Sequence, residues 1–204
     1  MNICGEAGGQ RGDAGYCPYR NEPDKKVAQI AGLVSKHRAN VLLLQEVCGG
    51  APGSHLELMK AALGPGWSFA RAQGARPGGR VDCRGSLSGD LGLGIAVKAQ
   101  ITDTTVTQTL PSDPTGQSKQ TLPTLCVRTD TWAGTRICTT HVLADPADPR
   151  RAQHVKNIKT GTSRRFTWCD ADQSLMDRTE NEPDSGPPNG YSDHAPLIGY
   201  LPGA

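Results

Sequence analysis

Apolar positions along the chain change their period several times, and each change marks an element. Val27, Ile30, Ala31 and Val34 recur at i, i+3, i+4 and i+7, which gives one apolar helix face able to lie on a sheet. Asp24 stands where an N-cap is expected, and the pattern runs on to Ala39. Val41-Leu-Leu-Leu44 is a short continuous apolar run, the mark of a strand covered on both faces, with Gln45 and Glu46 at its C-terminal end. Ser54-His-Leu-Glu57 has capping-box spacing and predicts a second short helix with Leu56, Met59 and Leu63 inward. Strand-like pieces follow at 67–72, 93–99, 104–110, 124–129 and 136–142, separated by Gly and Pro. A short first strand is expected at Asn2-Ile3, a helix over 148–159 and a last strand over 195–201 after a Gly- and Pro-rich loop at 182–190. This order predicts helices packed outside two stacked sheets.

Composition adds bounds. The 204 residues suffice for one sizeable core, so 1–204 reads as a single domain. No run of about 18 apolar residues exists, so no membrane-spanning helix is expected. A formal net charge of +2 gives little global steering toward nucleic acid. Local basic groups remain at Arg71, Arg76, Arg80 and Arg84, and at Arg150, Arg151, Lys156, Lys159, Arg164 and Arg165. Each group reads as phosphate-contacting or as a plain solvated surface.

Seven cysteines in a chain of this size point to an oxidising compartment, hence to a secreted protein; a cytosolic protein with reduced thiols is the alternative. No signal peptide stands at Met1, and an upstream or different start is the expectation. Cys126 and Cys138 flank Trp132 symmetrically in a hairpin pattern whose turn holds Ala133 and Gly134, which sets them opposite one another. Cys4 and Cys17 bracket a Gly-rich loop, Cys48 and Cys83 remain as a third pair, and Cys169 is left over. No C-x₂₋₄-C spacing suggests zinc.

Candidate chemistry sits at strand ends. Glu46 follows four apolar residues, His141 follows Ile137-Cys-Thr-Thr140, and Asp193-His194 lies between a Gly-rich loop and an apolar strand. Alone, each has a bland reading: a Glu closing a strand, a hydrogen-bonded structural His, an incidental dipeptide.

Taken in order, the motifs N-I-C-G at 2–5, L-L-L-Q-E at 42–46, G-L-G-I-A-V at 92–97, T-T-H at 139–141 and S-D-H-A-P-L at 192–197 resemble those of the endonuclease/exonuclease/phosphatase superfamily. That resemblance implies an α/β fold, a four-layer α/β sandwich of the DNase I-like kind, with two mostly antiparallel sheets, outer helices and an incomplete second half. It implies hydrolysis of phosphodiester bonds with Mg²⁺, or Mn²⁺ or Ca²⁺ in its place. The metal set would be Asn2, Glu46 and Asp193, and the catalytic set His141, His194 and Asp193. Partners would be nucleic acid or another phosphodiester, acted on by a monomer. A nuclease is preferred over a sphingomyelinase, since no apolar membrane-anchoring loop is visible, and over an inositol phosphatase, since no dense Lys/Arg cluster occurs.

The departure from the pattern is equally specific. The family's G-D-x-N strand between the T-T-H and S-D-H motifs has no counterpart, nor does the Asp that orients the last histidine, for which Asp170 and Asp172 are the available stand-ins. Glu46, Asp193 and His194 are expected to converge on one cleft. Activity is expected to lie far below that of relatives, and a catalytically inactive remnant, or a binding or structural protein on the same scaffold, stands as the alternative.

Overall fold

The structure is a computed structural model. It describes residues 1–5, 17, 19, 21–76, 79–80, 83, 86–108, 123–141, 167–168 and 199–200. In chain order its elements are α1 (Pro23–His37), β1 (Val41–Gly49), α2 (His55–Leu63), β2 (Ser68–Gln73), β3 (Ala75–Arg76), β4 (Gly79–Arg80), β5 (Asp90–Val97), β6 (Ile101–Gln108), β7 (Pro123–Thr129), β8 (Ile137–Thr140), β9 (Thr167–Trp168) and β10 (Gly199–Tyr200). The helix expected over 148–159 and the loop at 182–190 lie outside the described residues. Of the strand expected over 195–201, Gly199–Tyr200 is described, paired with Thr167–Trp168.

Two antiparallel three-stranded sheets carry the core, ordered β1-β5-β2 and β6-β7-β8. Period-2 alternation divides β5 between two packing problems. Leu93, Ile95 and Val97, with Ala70 and Ala72 of the neighbouring β2, face the second sheet and pack there against Leu125, Val127 and Ile137. The opposite face of β5 carries Gly92, Gly94 and Ala96, and there Leu44, Val47, Leu56 and Met59 join Ile3, Val27 and Ile30 under the helices. A Cβ on Gly94 would stand 3.1 Å from both Leu56 and Val47. The small residues of β5 thus set how closely α2 approaches the sheet. Helices outside two facing antiparallel sheets is the architecture that the element order predicts.

Local details depart from the sequence expectations. The first strand at Asn2-Ile3 is a single parallel bridge between Asn2 and Gln45. Helix α1 begins one residue before Asp24, is preceded by Glu22 without a side-chain cap, and ends at His37 on a left-handed Arg38. Its buried stripe is Lys26, Val27, Ile30 and Leu33, with Ala31 and Val34 only half-buried. The stripe rotates because the stem of Lys26 buries with the apolar residues while its ammonium donates to Cys17 Sγ at 3.6 Å. The capping box does not close: Ser54 Oγ has no partner among the described residues, and Glu57 instead accepts from Lys60 Nζ at 2.6 Å. Leu63 is half-buried rather than inward.

Among the described residues three disulfides join Cys4 to Cys17, Cys48 to Cys83 and Cys126 to Cys138. Cys126 and Cys138 are cross-strand neighbours of β7 and β8, as the symmetric spacing about Trp132 predicts. Among the described residues no helix is long and apolar enough to cross a membrane.

Candidate functional site

Strand β1 does not stop at Leu44. It continues to Gly49, and Glu46 lies inside it. Pairing with β5 slips between Gln45 and Val47, and Glu46 takes φ of 49°. This is a β-bulge: one residue too many on the bulged strand, so its side chain leaves the normal alternation and is aimed elsewhere. The bulge also restores Val47 to the helix-facing core, where Leu42 and Leu44 already lie. A left-handed Glu costs on the order of 1–2 kcal/mol, and such outliers collect at functional sites.

The segment 1–5 runs along the outer edge of the bulge. Gln45 N–H donates to the Met1 carbonyl at 2.9 Å, Ile3 N–H to the Gln45 carbonyl at 3.0 Å, and Gly5 N–H to the Glu46 carbonyl at 2.7 Å. Approach is this close because residue 5 is glycine: a Cβ there would collide with the Glu46 carbonyl oxygen.

Asn2, 8% exposed, donates its side-chain Nδ2 to Glu46 Oε1 at 2.7 Å. Its Oδ1 accepts the Cys4 backbone N–H at 2.8 Å. A backbone N–H can only donate, so the amide oxygen must lie toward Cys4 and the amide nitrogen toward Glu46. Asn2 therefore grips the carboxylate as a donor.

His141 follows β8, and its Nε2 stands 3.7 Å from the same Glu46 Oε1. The approach is set from below, where Gln45 on the inter-sheet side donates Nε2 to Thr139 Oγ1 at 2.8 Å. This bond ties the bulge to β8 two residues before the histidine. The Glu46 and His141 side chains are 19% and 32% exposed, so the group is open to solvent yet rimmed by core. Among the described residues Glu46 Oε2 has no hydrogen-bond partner.

Asn2, Glu46 and His141 thus come together from three separate parts of the chain. Asp193, His194, Asp170 and Asp172 lie outside the described residues. Among the described residues, no group of three His, Cys, Asp or Glu side chains is arranged to hold a metal ion. Arg71 is engaged elsewhere, its Nη1 3.4 Å from both the Gly49 carbonyl and Asp90 Oδ2. Arg84 and the basic residues at 150–165 lie outside the described residues.

Sequence reasoning missed Cys4, Gly5, Gln45 and Thr139 as supports of this group. One signal was available for the first: Asn followed two residues later by a backbone donor is the Asx-turn pattern. The bulge left no signal of its own.

No family model matches the chain, and no curated protein matches its sequence. Its structure is similar to that of an endonuclease/exonuclease/phosphatase protein from Beutenbergia cavernae, at 22% identity and a TM-score of 0.41 over 64% of this chain and 35% of that one. It is also similar to an endonuclease/exonuclease/phosphatase family protein from Leptotrichia buccalis, at 10% identity and a TM-score of 0.45 over 74% of this chain and 63% of that one. A third is the catalytic domain of human Nocturnin with bound sulfate, at 13% identity and a TM-score of 0.42 over 66% of this chain and 50% of that one. The chain spans between about a third and two thirds of the length of these proteins.

Proposed function

We propose that the chain is a metal-dependent hydrolase of phosphodiester bonds, with its chemistry centred on Glu46. The observation that carries this reading is the convergence of Asn2 Nδ2 and His141 Nε2 on one carboxylate oxygen, at a left-handed bulge. A lone surface Glu closing a strand needs neither the bulge nor the two partners.

The donor set fits a hard divalent cation. Mg²⁺ takes oxygen ligands, keeps several waters and needs only one or two carboxylates beside substrate phosphate, so a threefold protein cluster is not required. Glu46 Oε2, left without a hydrogen-bond partner among the described residues, is the donor that would hold it, with Asp193 proposed as a second carboxylate. When bound, the metal neutralises phosphate charge and lowers the pKa of water. Asn2 fixes the direction of the carboxylate, and its amide oxygen is committed to Cys4. His141 offers an N–H donor beside that carboxylate, suited to a non-bridging phosphate oxygen. His194 is proposed for water activation by the resemblance of S-D-H-A-P-L alone. Secretion is proposed from the three disulfides, which persist where the surroundings are oxidising.

A second reading, a scaffold without activity, is favoured by the missing G-D-x-N motif. Incubation with supercoiled plasmid DNA separates the two. The hydrolase reading expects nicking with Mg²⁺ that stops on chelation, whereas no cleavage of DNA or of bis(p-nitrophenyl) phosphate at any divalent metal concentration overturns it.

A further inference from the structure

The Cys4–Cys17 disulfide lies one hydrogen bond away from the Glu46 site, and an unbroken chain of contacts runs through it. Lys26, fully buried on α1, donates to Cys17 Sγ at 3.6 Å. Cys17 is bonded to Cys4. Cys4 holds φ of 65°, a left-handed conformation that a residue with a Cβ adopts only at a cost. In that conformation its N–H reaches Asn2 Oδ1, and the other end of the same amide holds Glu46 Oε1. The links are shielded from water: Cys4 and Cys17 are 2% exposed or less, and Asn2 is 8% exposed. The disulfide thus anchors to a helix the turn that aims the carboxylate.

We propose that Cys4–Cys17 is a positioning element of the Glu46 site, and that its reduction by a dithiol disables the site while leaving the two sheets folded. The inference rests on the hydrolase reading of that site. The reductant's first thiolate attacks Cys4 Sγ and the Cys4–Cys17 bond breaks. Cys17 leaves as the thiolate, stabilised by the Lys26 ammonium beside it. The second reductant thiolate then displaces Cys4 from the mixed disulfide. Two electrons pass to the protein, which ends with two thiols once protons are taken up, and the reductant ends as its cyclic disulfide. Because both sulfurs are buried, this opening is slower than at the Cys126–Cys138 bond, where Cys138 is exposed. The exposed bond serves as an internal control, since its loss touches no link of the chain.

The test compares wild type, the C4S/C17S variant and the C126A/C138A variant by amide hydrogen exchange and by steady-state hydrolysis of bis(p-nitrophenyl) phosphate with Mg²⁺. In C4S/C17S, exchange at residue 4 and at the Asn2 side-chain amide accelerates at least about tenfold while Ile95 and Ala96 in β5 stay protected. In the same variant kcat falls by about 10- to 100-fold, the scale expected for misplacement of about 1 Å, with KM within about twofold. C126A/C138A leaves exchange at residue 4 and at the Asn2 side-chain amide at wild-type values. Unchanged protection at residue 4 and Asn2 in a folded C4S/C17S overturns the proposal. If that variant does not fold, wild type is titrated with dithiothreitol and the opened cysteines are mapped by alkylation. Loss of Asn2 and Cys4 protection at the step that opens Cys4 and Cys17, ahead of β5, supports the proposal, and simultaneous loss of β5 overturns it. Exchange needs no turnover, so an oxidised wild type that fails to hydrolyse the ester overturns the hydrolase reading alone.

Discussion

Asn2 holds Glu46 by a 2.7 Å bond from its amide nitrogen and is itself held through its amide oxygen by the Cys4 N–H. Asn2→Ala therefore removes the hold on the carboxylate together with the bond to the Cys4 N–H. A hydrogen bond to a charged group contributes about 1.5–3 kcal/mol, and the variant is expected to lose stability on that scale. Its kcat for bis(p-nitrophenyl) phosphate should fall by about 10- to 100-fold, more than KM changes. Urea denaturation together with steady-state kinetics checks both, and a full-rate Asn2→Ala contradicts the assigned role.

The left-handed backbone at Glu46 makes a prediction of unusual sign. Within strands Gly is ordinarily less stable than Ala, but at φ of 49° the Cβ penalty of about 1–2 kcal/mol applies to Ala and is absent for Gly. Glu46→Gly is expected to be more stable than Glu46→Ala by about 1 kcal/mol, with both inactive. Paired denaturation curves read the difference directly, and an Ala variant as stable as the Gly variant would mean that the bulge is not held left-handed.

His55 makes stability depend on pH. It is 1% exposed, and its pKa is lowered from 6.5 to about 4, chiefly by burial and then by the charge of Lys26. Its Nδ1 accepts the Cys48 N–H at 3.3 Å, so the buried neutral ring carries its proton on Nε2. The unfolded chain binds a proton near pH 6.5 and the folded chain only near pH 4. Stability from the neutral ring is thus complete above pH 6.5 and lost as pH falls toward about 4, by on the order of 3 kcal/mol. His55→Asn keeps an acceptor for Cys48 without a titrating ring. It should flatten that part of the stability profile, and an equally steep fall in the variant would assign the acid sensitivity elsewhere.

Gly5 is the point where chain and bulge touch. A Cβ added there meets a backbone oxygen, that of Glu46, which no rotamer change relieves. Gly5→Ala should displace the 1–5 segment from β1 and reduce activity as Asn2→Ala does. Normal activity and stability in Gly5→Ala would show that the edge can reseat.

Much of the fold was legible because it follows from local periodicity. The strand expected at 93–99 corresponds to β5 at Asp90–Val97, and the symmetric spacing of Cys126 and Cys138 about a turn predicts their register. The end of the apolar run marks Glu46, although β1 itself runs on to Gly49, and the end of β8 marks His141; the two lie together. What was hidden depends on contacts distant in sequence. The bulge arises where the 1–5 segment, β5 and β8 all constrain β1 together, and no window of the sequence contains that competition. The rotated stripe of α1 was hidden because Lys26 reads as polar, while its partner Cys17 lies outside the helix.

The role of Glu46 is tested most simply by the rate of bis(p-nitrophenyl) phosphate hydrolysis with Mg²⁺ for wild type and Glu46→Gln. Gln keeps the size of the side chain and a hydrogen-bonding oxygen but removes the anionic oxygen pair that a hard cation needs. Wild type is expected to turn over in a Mg²⁺-dependent way, and Glu46→Gln at least about 10³-fold more slowly, since groups that act as one unit fail together, with circular dichroism unchanged. Glu46→Gln turning over at the wild-type rate, or a wild type indifferent to Mg²⁺, would contradict that role.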